Sequence, residues 1–389
     1  MSEISPLYRL RLPGPTAVPE RVRQAIAAPV LNHRGPEFRA ILSRAEELIK
    51  PILGTSNPVL FFASSGTGVM EASLVNVLAP GERVLVCIHG QFGERFAAIA
   101  GALGAQVDPL NFEWGRGIDP AAVEERVHST DYRAVVVVHN ESSTAVVSDL
   151  AAIGRIVRDT PALLLADSVS GLGGLEMRQD EWGVDIVVSS SQKALMCPPG
   201  IGLASVSPKA WRMVNRDSGM PRFYWDFRKA VASIEKSETP FTTPVSLMAG
   251  LLAALEMIHA EGLTAVLARH RRLAGALRAG CEALGLRTFG QPDSLSSTVV
   301  ALEVPASLNG GDIVRHMYER YKTVIAGSRN KLSGRVIRIG TMGYFHEGDI
   351  LTDLLYLEET LDHLGFPVER SAGISAAAAW ERGVTANVG

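Results

Sequence analysis

The chain has little cysteine, little excess charge and no long apolar run. Three cysteines in 389 residues, Cys87, Cys197 and Cys281, are too few and too scattered for a disulfide framework, and no histidines join them at metal-ligand spacing. A formal net charge of −3 argues against the basic footprint of a protein that binds nucleic acid or anionic membrane. No apolar stretch approaches the roughly 20 residues that span a bilayer. The opening Met-Ser-Glu-Ile-Ser-Pro lacks the basic and apolar regions of a signal peptide, and the closing Thr-Ala-Asn-Val-Gly is no sorting tripeptide. The cytoplasm is the expected compartment and small molecules are the expected partners. What remains is an ordinary soluble-enzyme composition, 47% hydrophobic and 20% charged, in a chain long enough for two domains.

From about residue 58 to 210, apolar runs alternate with amphipathic stretches of helical length. The runs Val59–Ala63, Val84–Ile88, Ala134–Val138, Ala162–Ala166, Val184–Val188 and Gly202–Val206 read as buried strands. Val69–Leu78, Phe92–Leu103, Pro120–His128 and Asp149–Arg158 read as helices. The alternation implies an α/β fold, a mostly parallel sheet with helices on both faces. A long helical region, Val245 to Leu284, breaks near Glu261-Gly262. A smaller αβ unit follows, with strands Thr298–Val304 and Val336–Ile339 and helices Asp312–Arg320 and Glu347–Leu364. The expected division is an N-terminal segment at 1–20 packing near the active site, a large domain at 21–260, a small domain at 261–368, and a tail at 369–389 without a tertiary pattern.

Ligands of such sheets bind at the carboxyl ends of the strands, where the motifs with chemical content fall. Lys193, in Ser-Ser-Ser-Gln-Lys-Ala-Leu, follows one apolar run, and Asp167, in Leu-Leu-Leu-Ala-Asp-Ser-Val, ends another. A lysine and a carboxylate leaving neighbouring strands are what pyridoxal phosphate chemistry needs. The amine forms a Schiff base with the aldehyde, and the carboxylate keeps the pyridine nitrogen protonated. Taken singly, Asp167 could be a helix cap and Lys193 a solvated loop residue.

Ser64-Ser65-Gly66-Thr67-Gly68 opens a helix after a strand, an anion cradle without the Gly-Lys-Ser/Thr ending of a nucleoside-triphosphate loop, or else a glycine-rich turn. Gly171-Leu172-Gly173-Gly174 lacks the offsets of a dinucleotide fingerprint. Arg338, between Ile337 and Ile339, must face solvent or grip an anion such as a substrate carboxylate. His33 and Arg34, in a polar turn before the Phe38–Ile49 helix, could serve the site or only fix the loop.

Together these residues resemble the class V aminotransferases of fold type I, in particular the alanine–glyoxylate / serine–pyruvate group. The resemblance runs from Gly14-Pro15-Thr16 to about Leu364. Its motifs come in family order: Asn-His-Arg-Gly-Pro-Glu-Phe, Ser-Gly-Thr-Gly, His-Gly-Gln-Phe-Gly-Glu-Arg, Glu-Ser-Ser-Thr, Ala-Asp-Ser-Val-Ser-Gly-Leu-Gly-Gly, Ser-Gln-Lys-Ala-Leu, Thr-Pro-Phe-Thr-Thr-Pro and Ile-Arg-Ile-Gly.

The resemblance implies a seven-stranded-type sheet with a smaller C-terminal αβ domain, and pyridoxal 5'-phosphate as cofactor. It makes Lys193 the Schiff-base lysine and Asp167 the partner of the pyridine nitrogen. Ser65, Gly66 and Thr67 become phosphate ligands, joined by Gln192. Phe92, where relatives often carry tryptophan, would stack on the ring, with Val169 on the opposite face and Ser142 near the ring hydroxyl. Arg338 would hold the substrate carboxylate near Gly14, with His33 close by. Thr242 matches a residue given to a neighbouring subunit's phosphate site, which implies a homodimer with shared active sites.

The implied reaction is ping-pong transfer from a small L-amino acid, alanine or serine, to glyoxylate or pyruvate through a Lys193 aldimine. Another donor, such as 2-aminoethylphosphonate, is the alternative. A desulfurase would need a nucleophilic cysteine, and Gly285 to Gly340 contains none. A non-catalytic relative would be expected to have lost Lys193, Asp167 or Arg338.

Overall fold

The computed structural model describes residues 8–386. The beginning of the expected N-terminal segment and the end of the expected tail lie outside the described residues. The large domain carries strands β1 (Val59–Ser64), β2 (Arg83–Ile88), β3 (Gln106–Asn111), β4 (Ala134–Val138), β5 (Leu163–Asp167), β6 (Ile186–Ser190) and β7 (Gly200–Val206). They form one seven-stranded sheet in the order β1-β7-β6-β5-β4-β2-β3. Strand β7 runs antiparallel to both neighbours and every other pairing is parallel. The central strands Ala-Val-Val-Val-Val and Leu-Leu-Leu-Ala-Asp are buried along their whole length, as a sheet covered on both faces requires.

Strand β3, absent from the sequence reading, is Gln-Val-Asp-Pro-Leu-Asn, with no apolar run to announce it. It lies at the sheet edge, where Pro109 removes no ladder bond that a second neighbour needs. Strand β6 begins and ends two residues later than expected, so Lys193 stands three residues beyond its end.

The expected long helical region is two helices, Val245–Glu261 and Leu263–Ala283, which meet at 86° across Gly262 at φ +86°. Met248, Leu251 and Leu255 of the first are fully buried in the large-domain core. No single helix among the described residues is long and apolar enough to cross a membrane.

The smaller C-terminal domain is built on an antiparallel sheet of β8 (Val299–Glu303), β9 (Ala326–Gly327) and β10 (Val336–Gly340) in the order β8-β10-β9. Leu302, Ile337 and Ile339 from this sheet share an apolar cluster with Leu273, Leu277 and Leu354 from helices. Beyond Pro367, where the sequence offered no pattern, Ala372–Ala386 forms a helix against Leu263–Ala283. Gly275 permits this contact, because a Cβ there would lie 2.4 Å from the Trp380 ring. From Arg9 on, the N-terminal segment packs on this C-terminal unit. Arg9–Leu10 pairs with Thr323–Val324, and the Arg11 Nε donates to buried Asp353 at 2.6 Å.

Candidate active site

Strand β5 ends on Asp167 itself, and the Lys193 loop leaves its parallel neighbour β6. The loop is clamped from two sides. The Ser191 hydroxyl donates to the Pro198 carbonyl at 2.6 Å. The Thr16 hydroxyl donates to the Lys193 carbonyl at 3.0 Å, and the Thr16 N–H to the Gln192 carbonyl at 3.2 Å. The N-terminal segment therefore passes directly over the lysine, and the Lys193 Nζ donates to the Pro13 carbonyl. Gly14 follows at φ +119°, a conformation that L side chains avoid. A Cβ at that position would lie 2.5 Å from the Lys193 Cδ and Nζ. The backbone favours glycine here, and any side chain at this position would have to displace the Lys193 amine.

Burial pushes the Asp167 carboxyl up to about 6, against the opposing pull of the Val169 N–H (2.7 Å) and the charges of Lys193 and Arg95. It brings the Lys193 amine down to about 8. The Asp167 charge opposes that fall, while Arg338 and Arg95 add to it. At pH 7.5 an amine titrating there is roughly one-quarter neutral, whereas an ordinary lysine is neutral at about one part in a thousand. Asp167 at the same pH is a carboxylate. The pair therefore combines a fixed negative charge with an amine that can lose its proton.

Features facing this pair suit an anion. The helix Gly66–Val77 starts at Ser65 with no side-chain cap, which leaves its first N–H groups and its dipole available. A Cβ on Gly66 would come within 2.9 Å of the Val169 Cγ2, so the helix start and the Asp167–Val169 turn touch. The Ser190 hydroxyl, which a Cβ on Gly66 would approach to 3.2 Å, is buried without a partner and can donate to an anion there.

Arg338, half-buried on β10, donates from Nη1 to the Ser142 carbonyl (2.8 Å) and from Nη2 to the Gly327 carbonyl (2.7 Å), while its buried Nε has no partner. Desolvation lowers its proton affinity. A cavity of about 530 Å³ joins Gly14, Phe92, Arg95, Ser142, Lys193 and Arg338, with Arg329 on its rim. A larger cleft of about 810 Å³ lies on the small domain around Arg287, Glu303 and Arg335 and touches none of these groups. An amine and an arginine fork lining one cavity, with a buried carboxylate and an uncapped helix start beside it, fit a phosphate-bearing aldehyde and an amino acid. The donor set fits pyridoxal 5'-phosphate.

Among the residues expected from sequence, Gly14, Phe92, Ser142, Lys193 and Arg338 line this cavity. Asp167 at the end of β5, and Val169 and Gln192 in the turns after β5 and β6, lie beside it, with Ser65, Gly66 and Thr67 at the helix start against Val169. His33 and Thr242 are not brought to it within one chain. Thr242 is exposed beside Tyr224 and Phe241 over the outer strand β1. His33 sits in the turn before Pro36–Leu53, and its neighbour Arg34 does the fixing, through Glu238 and the Thr239 carbonyl at 2.7 Å each.

Two residues inside quoted motifs carry roles that sequence reasoning missed. Buried Glu141 accepts from the N–H groups of Phe92 (2.9 Å) and Gly93 (3.2 Å) and from the Ser143 hydroxyl (2.6 Å), which ties the Phe92 helix to the end of β4. Arg95 donates to the Thr67 hydroxyl at 3.1 Å and lies 4.7 Å over the Phe92 ring. The signal for Arg95 was its position three residues after Phe92, one helical turn away. The three cysteines are buried apart from one another, and burial pushes the Cys87 and Cys197 thiols up to about 12. They are inert at neutral pH.

The family described as Aminotransferase class-V matches residues 15–344. A Synechococcus protein named soluble hydrogenase, small subunit, is 39% identical, covering 95% of this chain and 97% of that one. L-aspartate–glyoxylate aminotransferase of Paracoccus denitrificans is 36% identical, over 99% and 98% respectively. The crystal structure of ureidoglycine–glyoxylate aminotransferase from Bacillus subtilis matches with a TM-score of 0.91 at 29% identity, covering 98% of this chain and all of that one. With a fold of type I, a lysine–aspartate pair at its strand ends and a site fitted to pyridoxal 5'-phosphate, the chain belongs to the class V aminotransferases.

Proposed function

We propose that the enzyme moves an amino group from a small L-amino acid, alanine or serine, to glyoxylate or pyruvate in two half-reactions, the first 2-oxo acid leaving before the acceptor binds. Pyridoxal 5'-phosphate, when bound, supplies the electron sink and carries the amino group. The observation that carries the reading is the buried Lys193 amine lining one cavity with Arg338, Phe92 and Ser142, with Asp167 ending the neighbouring strand.

In this reading Asp167 supplies the negative charge opposite the pyridine nitrogen, held against the cost of burial by the Val169 N–H and by the charges of Lys193 and Arg95. The uncapped start of Gly66–Val77, with Ser65 and Thr67, holds the phosphate. Phe92 and Val169 bound the ring from its two faces. Arg338 offers a carboxylate its unpartnered Nε–H and the free hydrogens of its fork, and so sets the substrate α-carbon above Lys193. The freed Lys193 amine would take the α-proton of the donor and deliver a proton to C4′ of the cofactor, and would move a proton the opposite way, from C4′ to the α-carbon, as the acceptor is aminated. Burial, with Arg338 and Arg95 nearby, lowers the proton affinity of this amine, which favours its exchanging a proton near neutral pH. Thr242, exposed in one chain, is assigned to the phosphate site of a second subunit, which makes the working unit a homodimer.

A donor whose anion lies away from the amino carbon, as in the side-chain carboxylate of aspartate or an aminoalkyl phosphonate, is the other reading. Arg329 on the cavity rim favours it, as does the aspartate named for the Paracoccus relative. A carboxylate or phosphonate at the far end of the donor would meet that cation. Steady-state rates with alanine, serine, aspartate and 2-aminoethylphosphonate against glyoxylate separate the two. Alanine or serine leading supports the first reading, and a tenfold or greater preference for aspartate or 2-aminoethylphosphonate replaces it.

A further inference from the structure

The groups assigned to the cofactor phosphate are Ser65, Gly66, Thr67 and Gln192, and none of them is charged. A phosphate ester near neutral pH carries about −1.5 to −2, while a helix start offers only about half a positive charge. More than a unit of negative charge is left without a partner. Lys193 is committed to the aldehyde, and Arg338 is fixed by the Ser142 and Gly327 carbonyls on the small-domain side. Arg95 is the cation that reaches the cradle. Its Nη1 donates to the Thr67 hydroxyl at 3.1 Å, its guanidinium lies 4.7 Å over Phe92, and among the described residues no carboxylate pairs with it.

We infer that Arg95 is the charge partner of the cofactor phosphate, bridging the Thr67 cradle and the Phe92 stacking face. This deepens the proposed function and rests on its placing of the phosphate at the start of Gly66–Val77. Phe92 and Arg95 stand one turn apart on the helix Gln91–Ala102, so one helical turn presents the ring face and the cation together. Glu141, which accepts from the N–H groups of Phe92 and Gly93, sets the position of that turn. The charge of Arg95 also bears on both Asp167 and Lys193, which places it within the site.

The test compares pyridoxal 5'-phosphate with pyridoxal, which lacks the phosphate. Full-length protein freed of cofactor is titrated with each, and the visible absorbance of the lysine-linked chromophore reports binding without any turnover. Arg95→Gln should weaken pyridoxal 5'-phosphate by about 10- to 100-fold, the worth of a charge-assisted hydrogen bond. It should leave pyridoxal within about twofold, and Arg95→Lys should recover most of the loss. Equal losses for both ligands, or no loss for either, would overturn the inference and leave Arg95 as packing for Phe92. Wild-type protein that fails to prefer the phosphorylated ligand would instead sink the cradle itself. Should Arg95→Gln not fold, Arg95→Met keeps the stem over Phe92 and carries the same comparison.

Discussion

Gly14 offers the sharpest perturbation, because a methyl there strains the backbone and must displace the Lys193 side chain. At φ +119° an L-residue costs about 1–3 kcal/mol. The new Cβ would stand 2.5 Å from the Lys193 Cδ and Nζ, where carbon contacts settle at about 3.5 Å. Relief of that overlap moves the lysine or the Pro13–Gly14 strap by about 1 Å. Displacement on that scale costs about 100-fold in rate at a reacting centre. Gly14→Ala should therefore lower kcat/KM about 100-fold and the melting temperature by several degrees, read by a coupled glyoxylate assay and by thermal circular dichroism. Gly81→Ala is the control: φ there is +83° and no atom lies within 4 Å of its would-be Cβ. It should lose stability while keeping full turnover. Gly14→Ala with turnover within twofold of wild type would refute the argument that the strap and the lysine share no spare space.

Three further outcomes follow from the same geometry. Lys193→Ala should abolish turnover and the visible cofactor band while circular dichroism stays native, and measurable turnover by the purified variant would remove Lys193 from its role. In cofactor-free protein the folded Lys193 amine titrates at about 8 against an ordinary 10.5. Its contribution to stability is complete above about 10.5 and is lost as pH falls through 8, a span of up to about 3 kcal/mol. Urea melts at pH 8 and 10.5 should show that slope, and Lys193→Met should flatten it; a slope unchanged in the variant would assign it elsewhere. Arg338→Gln should raise KM for the amino acid and the 2-oxo acid, lowering kcat/KM about 10- to 100-fold. Arg338→Lys should recover little of this, because a point charge replaces a fork; full recovery would mean that charge alone suffices.

Asp167 and Lys193 were legible in the sequence because each leaves an apolar run, and a run buried on both faces can only deliver its next residue to the sheet edge. Arg338 was legible for the related reason that a charge inside a short apolar strand needs a destination. Strand β3 was not, since an edge strand is free to be polar and to carry Pro109. The antiparallel direction of β7 was not legible either, because Gly200–Val206 reads identically in both directions. Arg95 and Glu141 stood inside recognised motifs, yet their roles depend on which way one helical turn faces after folding. The helix Ala372–Ala386 is made largely of small residues with little periodic contrast, and its place is decided by the opening at Gly275.

The central claim is amino transfer at Lys193, and an absorbance spectrum of the purified protein tests it most directly. The spectrum is taken alone, then with alanine, serine or aspartate, then after glyoxylate. The account predicts a visible band that bleaches with a donor and returns with glyoxylate. A band that no donor in the panel alters would contradict amino transfer at this site, although the lysine would still hold the cofactor.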